Sequence, residues 1–452
     1  MATATSSDRG QWSGKLGFII AAAGSAVGLG NIWRYPSEVA DNGGAAFIVV
    51  YLICCFMIGF PVMVAELAIG RRTKRNPVGA FKALSEKKVY SLIGMWGVLC
   101  GVMILSYYLV IAGWAFGFVF SEFVYFTGNT DLVNLLADLG NGTKSAFFSL
   151  LFIIATIFIV TGGVSGGIER AAKLMMPMLI VILLILIGYV LTQEGSGEGL
   201  RVYLTPDFSK INAPLILRAM GQAFFSLSLG MGALITYGSY LDKKQNIAEA
   251  AAYVTLADVG MACLAGLLII PAMYVAQNNG IQIFNPDETL INTTGLIFNV
   301  LPALFHTMAP GAQIFFGLSF FLLLSMAALT STISLLEVPV SYAIDEHGLS
   351  RKKAAWGIGL GIGVLAVGIS YSTNLIGIID TIFSIIGLPL GGLLICLFLG
   401  YVWKTGNALL EIQDGFPGVE SHWFGKAWPI FVRYICPILI GIVFVTTIYN
   451  ML

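Results

Sequence analysis

Eleven mostly apolar stretches follow one another along this chain, near 14–40, 44–70, 90–122, 145–162, 167–192, 214–240, 247–276, 308–344, 354–372, 376–402 and 427–451. A hydrocarbon core about 30 Å thick takes roughly 20 helical residues per crossing. Backbone N–H and C=O groups find no water there, so each crossing must be helical or part of a closed barrel. Runs this long predict an all-α polytopic membrane protein with eleven spans. Charge points the same way: only 11% of the 452 residues are charged, against roughly 25% in a water-facing domain. The six cysteines, Cys54, Cys55, Cys100, Cys263, Cys396 and Cys436, lie inside apolar runs, which argues against a disulfide framework or a zinc site. Basic and acidic residues balance at 24 each, so no field for nucleic acid is expected. No P-loop occurs, and Gly361-x-Gly363-x-x-Ala366 lies within an apolar span rather than after a strand, so ATP is not an expected partner. The chain is not expected to be an enzyme.

Basic residues set the expected orientation. Nineteen of the 24 fall on the side of the N-terminus and the even-numbered connections. By the positive-inside rule the N-terminus is cytoplasmic, and an odd span count puts the C-terminus outside. Met1 to Gly14 is polar and carries no apolar stretch of a removable signal.

Two spans depart from plain apolar helix. The first reads Gly24-Ser25-Ala26-Val27-Gly28-Leu29-Gly30-Asn31, and the sixth Phe224-Phe225-Ser226-Leu227-Ser228-Leu229-Gly230-Met231-Gly232. They open two successive five-span blocks, 14–192 and 214–403, joined by an external connection, 193–213. Residues 1–13 precede the first block, and 404–452 hold a cytoplasmic connection and the eleventh span. An odd number of spans per block inserts the second upside down, giving a 5+5 inverted repeat. Singly, each glycine cluster reads equally well as small-residue helix packing. Their matched placement, with Asn31 and Ser226 adjoining, favours helices broken around an enclosed cavity, offering N–H groups to a carboxylate and C=O groups to a cation.

The string Gly28-Leu29-Gly30-Asn31-Ile32-Trp33-Arg34-Tyr35-Pro36, with Asn42-Gly43-Gly44 after it, resembles the first span of the neurotransmitter:sodium symporter family. Gly221-Gln222-Ala223-Phe224-Phe225-Ser226-Leu227-Ser228, Ser106-Tyr107-Tyr108 and Ala328-Leu329-Thr330-Ser331 match in the right order over nearly the whole chain. The resemblance implies a leucine-transporter type fold and two sodium sites. The first would use the Ala26 carbonyl, Asn31, Ser226 and Asp258, completed by the substrate carboxylate. The second would use carbonyls of Gly24, Val27 and Ala327 with hydroxyls of Thr330 and Ser331, which otherwise bond the preceding helical turn. For the substrate site, in which Ser226 is also included, it implies N–H groups near Gly28 and Leu29 and the Tyr108 hydroxyl on the carboxylate, with carbonyls of Ala26, Phe225 and Ser228 on the amine. Ser25, Ile104, Phe225, Ser228, Met231, Ser331 and Leu335 would line the side-chain pocket, although Ile104, Met231 and Leu335 alone read equally as helix packing.

Arg34 and Asp380 match the family's outer gate, with Phe225 and Tyr108 as a lid. Arg9 and Asp345 match the inner gate, helped by Trp12 and Tyr240. Gly167 and Pro177 match a Gly-x9-Pro pattern implying local unwinding of span five toward the second sodium; a simple kink is the alternative. Glu66 and Glu337 are expected to bond freed backbone near the breaks. Chloride-requiring relatives carry Asn where this chain has Asp258 and Ser where it has Ala262, with chloride among groups matching Tyr51, Gln222 and Ser226. The carboxylate of Asp258 therefore implies chloride independence, unless it is protonated or paired elsewhere. The expected function is a sodium-coupled symporter importing hydrophobic L-amino acids by alternating access, lipid-embedded in a plasma membrane, with short loops resembling prokaryotic relatives. Proton-coupled or sodium-independent exchange, and a channel or non-transporting solute sensor, stay open as alternatives.

Overall fold

The computed structural model describes residues 10–283, 285, 290, 296–308 and 310–449. It is all-helical, with no strand among the described residues. Nine unbroken helices there are long and apolar enough to cross a bilayer, and Lys15–Ala26 with Gly30–Asp41, bent by 50°, makes up to ten. Eleven is reached only by counting the sixth unit as well. Its two helices, Ala213–Ser226 and Ala233–Ser239, are each too short to cross alone.

Helix starts follow local chemistry. Asn141, Asn212 and Asn246 each accept a backbone N–H three residues on, from Lys144, Leu215 and Glu249, capping spans four, six and seven. The first-turn N–H groups would otherwise be unpaired at the membrane edge. Asn76 caps the short helix Pro77–Leu84 between spans two and three in the same way. Span ten runs from Thr373 to Gln413, beyond the expected end at 402, because the polar helix Thr405–Gln413 continues it with no apolar signal.

Burial separates core from periphery. Of the most apolar window of spans three (Lys88–Tyr125) and seven (Ile247–Asn278), 72% is buried; in span eleven (Trp423–Thr446) it is 22%. Spans one, three, six and eight (Gly311–His347) meet around the two breaks, and span eleven lies against span ten at the edge.

Candidate functional site

Both breaks are built by close approach. After Ala26 the chain leaves the helix, with Val27 extended, and resumes in a π turn at Gly30–Arg34. A Cβ on Gly28 would overlap Ser331 Oγ and stand 2.7 Å from the Tyr108 hydroxyl; one on Gly30 would stand 3.0 Å from the Phe225 ring. Side chains of spans three, six and eight thus occupy the room glycine leaves. In span six, residues 227–232 are not helical, and Ser228, Gly230 and Gly232 have left-handed φ of +56°, +79° and +77°. The freed Gly230 N–H is bonded to Glu66 Oε1 at 2.7 Å, which satisfies a buried donor.

Between the breaks lies a cavity of about 20 Å³, lined by Ser25, Ala26, Gly28, Gly30, Ile104, Tyr108, Phe225, Ser228, Met231, Ser331, Ser334 and Leu335. Its walls are apolar with hydroxyls at one end, the composition of a small-molecule site. The Ser25 carbonyl, released at the break, accepts from the hydroxyls of Ser228 at 3.2 Å and Ser331 at 3.3 Å.

A fully buried carboxylate stands beside this cavity. Asp258 accepts from Ser226 Oγ at 2.9 Å, from Asn31 Nδ2 at 2.7 Å and from the Tyr51 hydroxyl at 3.4 Å. No basic group pairs with it among the described residues, so oxygen-rich polar groups alone surround a potential charge. A second oxygen cluster forms where Thr330 Oγ1 meets the carbonyls of Val27 at 3.0 Å and Ala327 at 2.8 Å.

Toward one face, Arg34 pairs with Asp380 at 3.6 Å and lies 4.6 Å from the Phe225 ring centre. Beyond this pair opens a second cavity of about 560 Å³, and Tyr108 and Phe225 line both cavities. Those two rings are the partition. Toward the opposite face, the buried Trp12 indole donates to the Tyr237 carbonyl at 3.0 Å and packs edge-on against Phe18, Tyr237 and Tyr240. The pocket is thus closed on both sides.

The model of the sodium:neurotransmitter symporter family matches residues 9–129 and 122–452. The chain belongs to this family. A sodium-dependent transporter of Bacillus subtilis (strain 168), YhdH, is 34% identical over 97% of each chain. A sodium-dependent transporter of Methanocaldococcus jannaschii, MJ1319, is 37% identical over 77% of this chain and 72% of that protein. The crystal structure of MhsT in complex with L-phenylalanine is similar with a TM-score of 0.85 and 41% identity, covering 97% of this chain and 100% of that one.

Within this symporter fold most residues expected at the pocket come together. Leu29 and Ser226 do not line it, whereas Gly30 and Ser334 do. The N–H groups expected to face a carboxylate are bonded internally here, Gly28 to Asn31 Oδ1 at 3.0 Å and Leu29 to the Tyr108 hydroxyl at 2.9 Å. In the second oxygen cluster Ser331 turns to Ser25 instead.

On the Trp12 face, Arg9 lies outside the described residues, and Asp345 accepts from the Asn76 N–H at 2.7 Å. Glu337 corrects the expectation that it bonds freed backbone. It takes the Tyr240 hydroxyl at 2.6 Å and Arg351 at 2.8 Å, because a cation on the next span neutralises the buried carboxylate better than a backbone N–H would. The stretch from Gly167 to Pro177 is wound in this structure, as a π turn at Val164–Glu169 followed by an unbroken helix through Pro177.

Two contributors were missed. The Tyr107 hydroxyl donates to Asp380 at 2.7 Å, and the Ser106-Tyr107-Tyr108 motif could have flagged it. Glu169 accepts from the Ser13 N–H at 2.9 Å, tying the segment before span one to span five; nothing local in the sequence signals that pairing.

Proposed function

We propose that the chain is a sodium-coupled symporter importing hydrophobic L-amino acids by alternating access. Membership of a sodium-dependent transporter family gives the coarse activity. The observation that carries the finer reading is the doubly closed apolar pocket with the Asp258 carboxylate buried beside it. The likeness to MhsT in complex with L-phenylalanine supports an amino acid with a large apolar side chain.

In this reading two sodium ions are cargo. One binds where Asp258, Asn31, Ser226 and the Ala26 carbonyl converge. Asn31 then turns its oxygen from the Gly28 N–H toward the ion, which frees that N–H for the substrate carboxylate. Sodium and substrate so complete one another's sites, and each raises the other's affinity. The second ion takes the carbonyls of Gly24, Val27 and Ala327 with Thr330 and Ser331, and leaves when span five unwinds between Gly167 and Pro177. Uncharged oxygens suit a monovalent cation because they replace its hydration shell. Arg34 and Asp380 close the outer side; Trp12, Tyr240, Arg9 and Asp345 close the inner side. The repeats 14–192 and 214–403 rock about the site, with the N-terminus cytoplasmic, in a cell membrane. Asp258, ionised, supplies the negative charge that makes chloride unnecessary.

The test is equilibrium binding of labelled L-phenylalanine to the purified protein in sodium or choline chloride. Saturable binding in sodium that vanishes in choline supports the reading; equal binding in both salts overturns the coupling.

A further inference from the structure

Span eleven presents most of its surface outward, and a charge on such a surface is costly unless it is paired or reaches the interface. Arg433 is an exposed charge of this kind, level with Gly400 near the end of the apolar run of span ten. Its guanidinium lies 5.2 Å from the Tyr401 ring centre and 5.3 Å from that of Tyr434. Among the described residues it has no carboxylate partner, and the acids nearby in sequence are engaged elsewhere. Glu411 is fully buried on Arg71, and Asp414 faces Lys243 at 3.7 Å.

The surroundings hold the arginine in place. Spans ten and eleven both carry π turns here, at Phe398–Lys404 and Phe431–Ile435. Gly400 lets them close up, since a Cβ there would stand 3.3 Å from Arg433 Cα. The Tyr401 hydroxyl donates to the Arg433 carbonyl at 3.1 Å. Lys404, a second exposed cation, stands four residues after Gly400 at the end of the π turn.

We propose that the exposed Arg433 guanidinium at this seam between spans ten and eleven binds the phosphate of an anionic phospholipid headgroup. The planar guanidinium presents a fork of donors matched to two phosphate oxygens. Tyr401 and Tyr434 are half-exposed rings with polar tips, the residue type that sits at headgroup depth. The acyl chains run along the exposed Ile438 and Ile442, further up span eleven. A snorkelling arginine would need only water and a free stem. This one is fixed between two rings with its backbone bonded to the neighbouring span.

The experiment is native mass spectrometry of the full chain, released from detergent with equimolar phosphatidylglycerol and phosphatidylcholine of identical acyl chains. The first retained lipid is expected to be phosphatidylglycerol by about tenfold, the ratio of a 1.4 kcal/mol difference. Arg433→Gln is expected to bring that ratio below about twofold, Arg433→Lys to leave it between, and the exposed Lys87→Gln to leave it unchanged. Equal retention of the two lipids by the unmodified protein overturns the proposal, and that comparison needs no variant to fold. An unchanged ratio in Arg433→Gln overturns it too.

Discussion

Asp258 is the residue on which the electrostatics of this protein turn. It is fully buried, faces Ser226, Asn31 and Tyr51, and stands among the groups that the family resemblance associates with chloride. A carboxylate about 5 Å from a cation contributes roughly 3 kcal/mol at an effective dielectric near 20. Asp258→Asn is therefore expected to weaken sodium affinity about a hundredfold, or to gain a chloride requirement. Sodium titrations of substrate binding in chloride and in gluconate read this out. An unchanged affinity in both salts would place the charge elsewhere.

Gate residues call for a different split. If the pair closes the pocket from above, as proposed, Arg34→Ala and Asp380→Ala are expected to depress transport far more than equilibrium binding. Tyr107→Phe, which removes a hydroxyl bonded to Asp380, should show the same pattern more weakly, by a few-fold for one neutral hydrogen bond of about 1 kcal/mol. Equal losses of binding and transport in all three would make Arg34 a direct substrate ligand. Identity at single positions was legible because an acid is a rare choice inside a membrane, and because the glycines of spans one and six cluster with polar residues at matched places. Partner choice was not, since Leu29 finds its acceptor, the Tyr108 hydroxyl, only once spans one and three are packed together.

At the scale of elements, the two breaks were readable and the helix between Gly167 and Pro177 was not. A cluster of glycines removes side chains that a neighbour can replace, and at Gly28 and Gly230 the neighbours do so. Gly and Pro nine residues apart, by contrast, weaken a helix without deciding when it opens. Gly230→Ala would force a Cβ into a left-handed backbone against the Leu388 carbonyl, whereas Gly221 on the preceding helix has open space. The expected result is a clear drop in thermal stability for Gly230→Ala and a neutral or slightly raised value for Gly221→Ala, measured by unfolding in detergent. Glu66→Ala leaves the Gly230 N–H unpaired and should cost about 1–3 kcal/mol. If all three variants melt alike, the second break is not held as described.

For the whole molecule, the all-helical membrane architecture followed from apolar run length, while the span number did not close: nine helices and one bent pair are long and apolar enough among the described residues. The sixth unit counts as a span only when its two short helices are taken together. Long-range ties such as Glu169 to Ser13 had no sequence signal, because they join segments whose proximity only the packed bundle creates. The pocket has no fixed charge of its own and includes the adaptable Met231, so selectivity should be broad. Apolar pockets separate ligands differing by a methylene only about 10–200-fold. Leucine, isoleucine, tyrosine and tryptophan are thus expected to compete with phenylalanine, and lysine or aspartate are not. A pattern in which only one small or charged amino acid competes would contradict this.

Coupling to sodium separates a symporter from every alternative. Purified protein in proteoliposomes should accumulate labelled phenylalanine above its external concentration when sodium is high outside. The accumulation should collapse when the gradient is dissipated, and persist when gluconate replaces chloride. Uptake that merely equilibrates, with or without the gradient, would contradict a symporter and leave a channel, an exchanger or a solute sensor in its place.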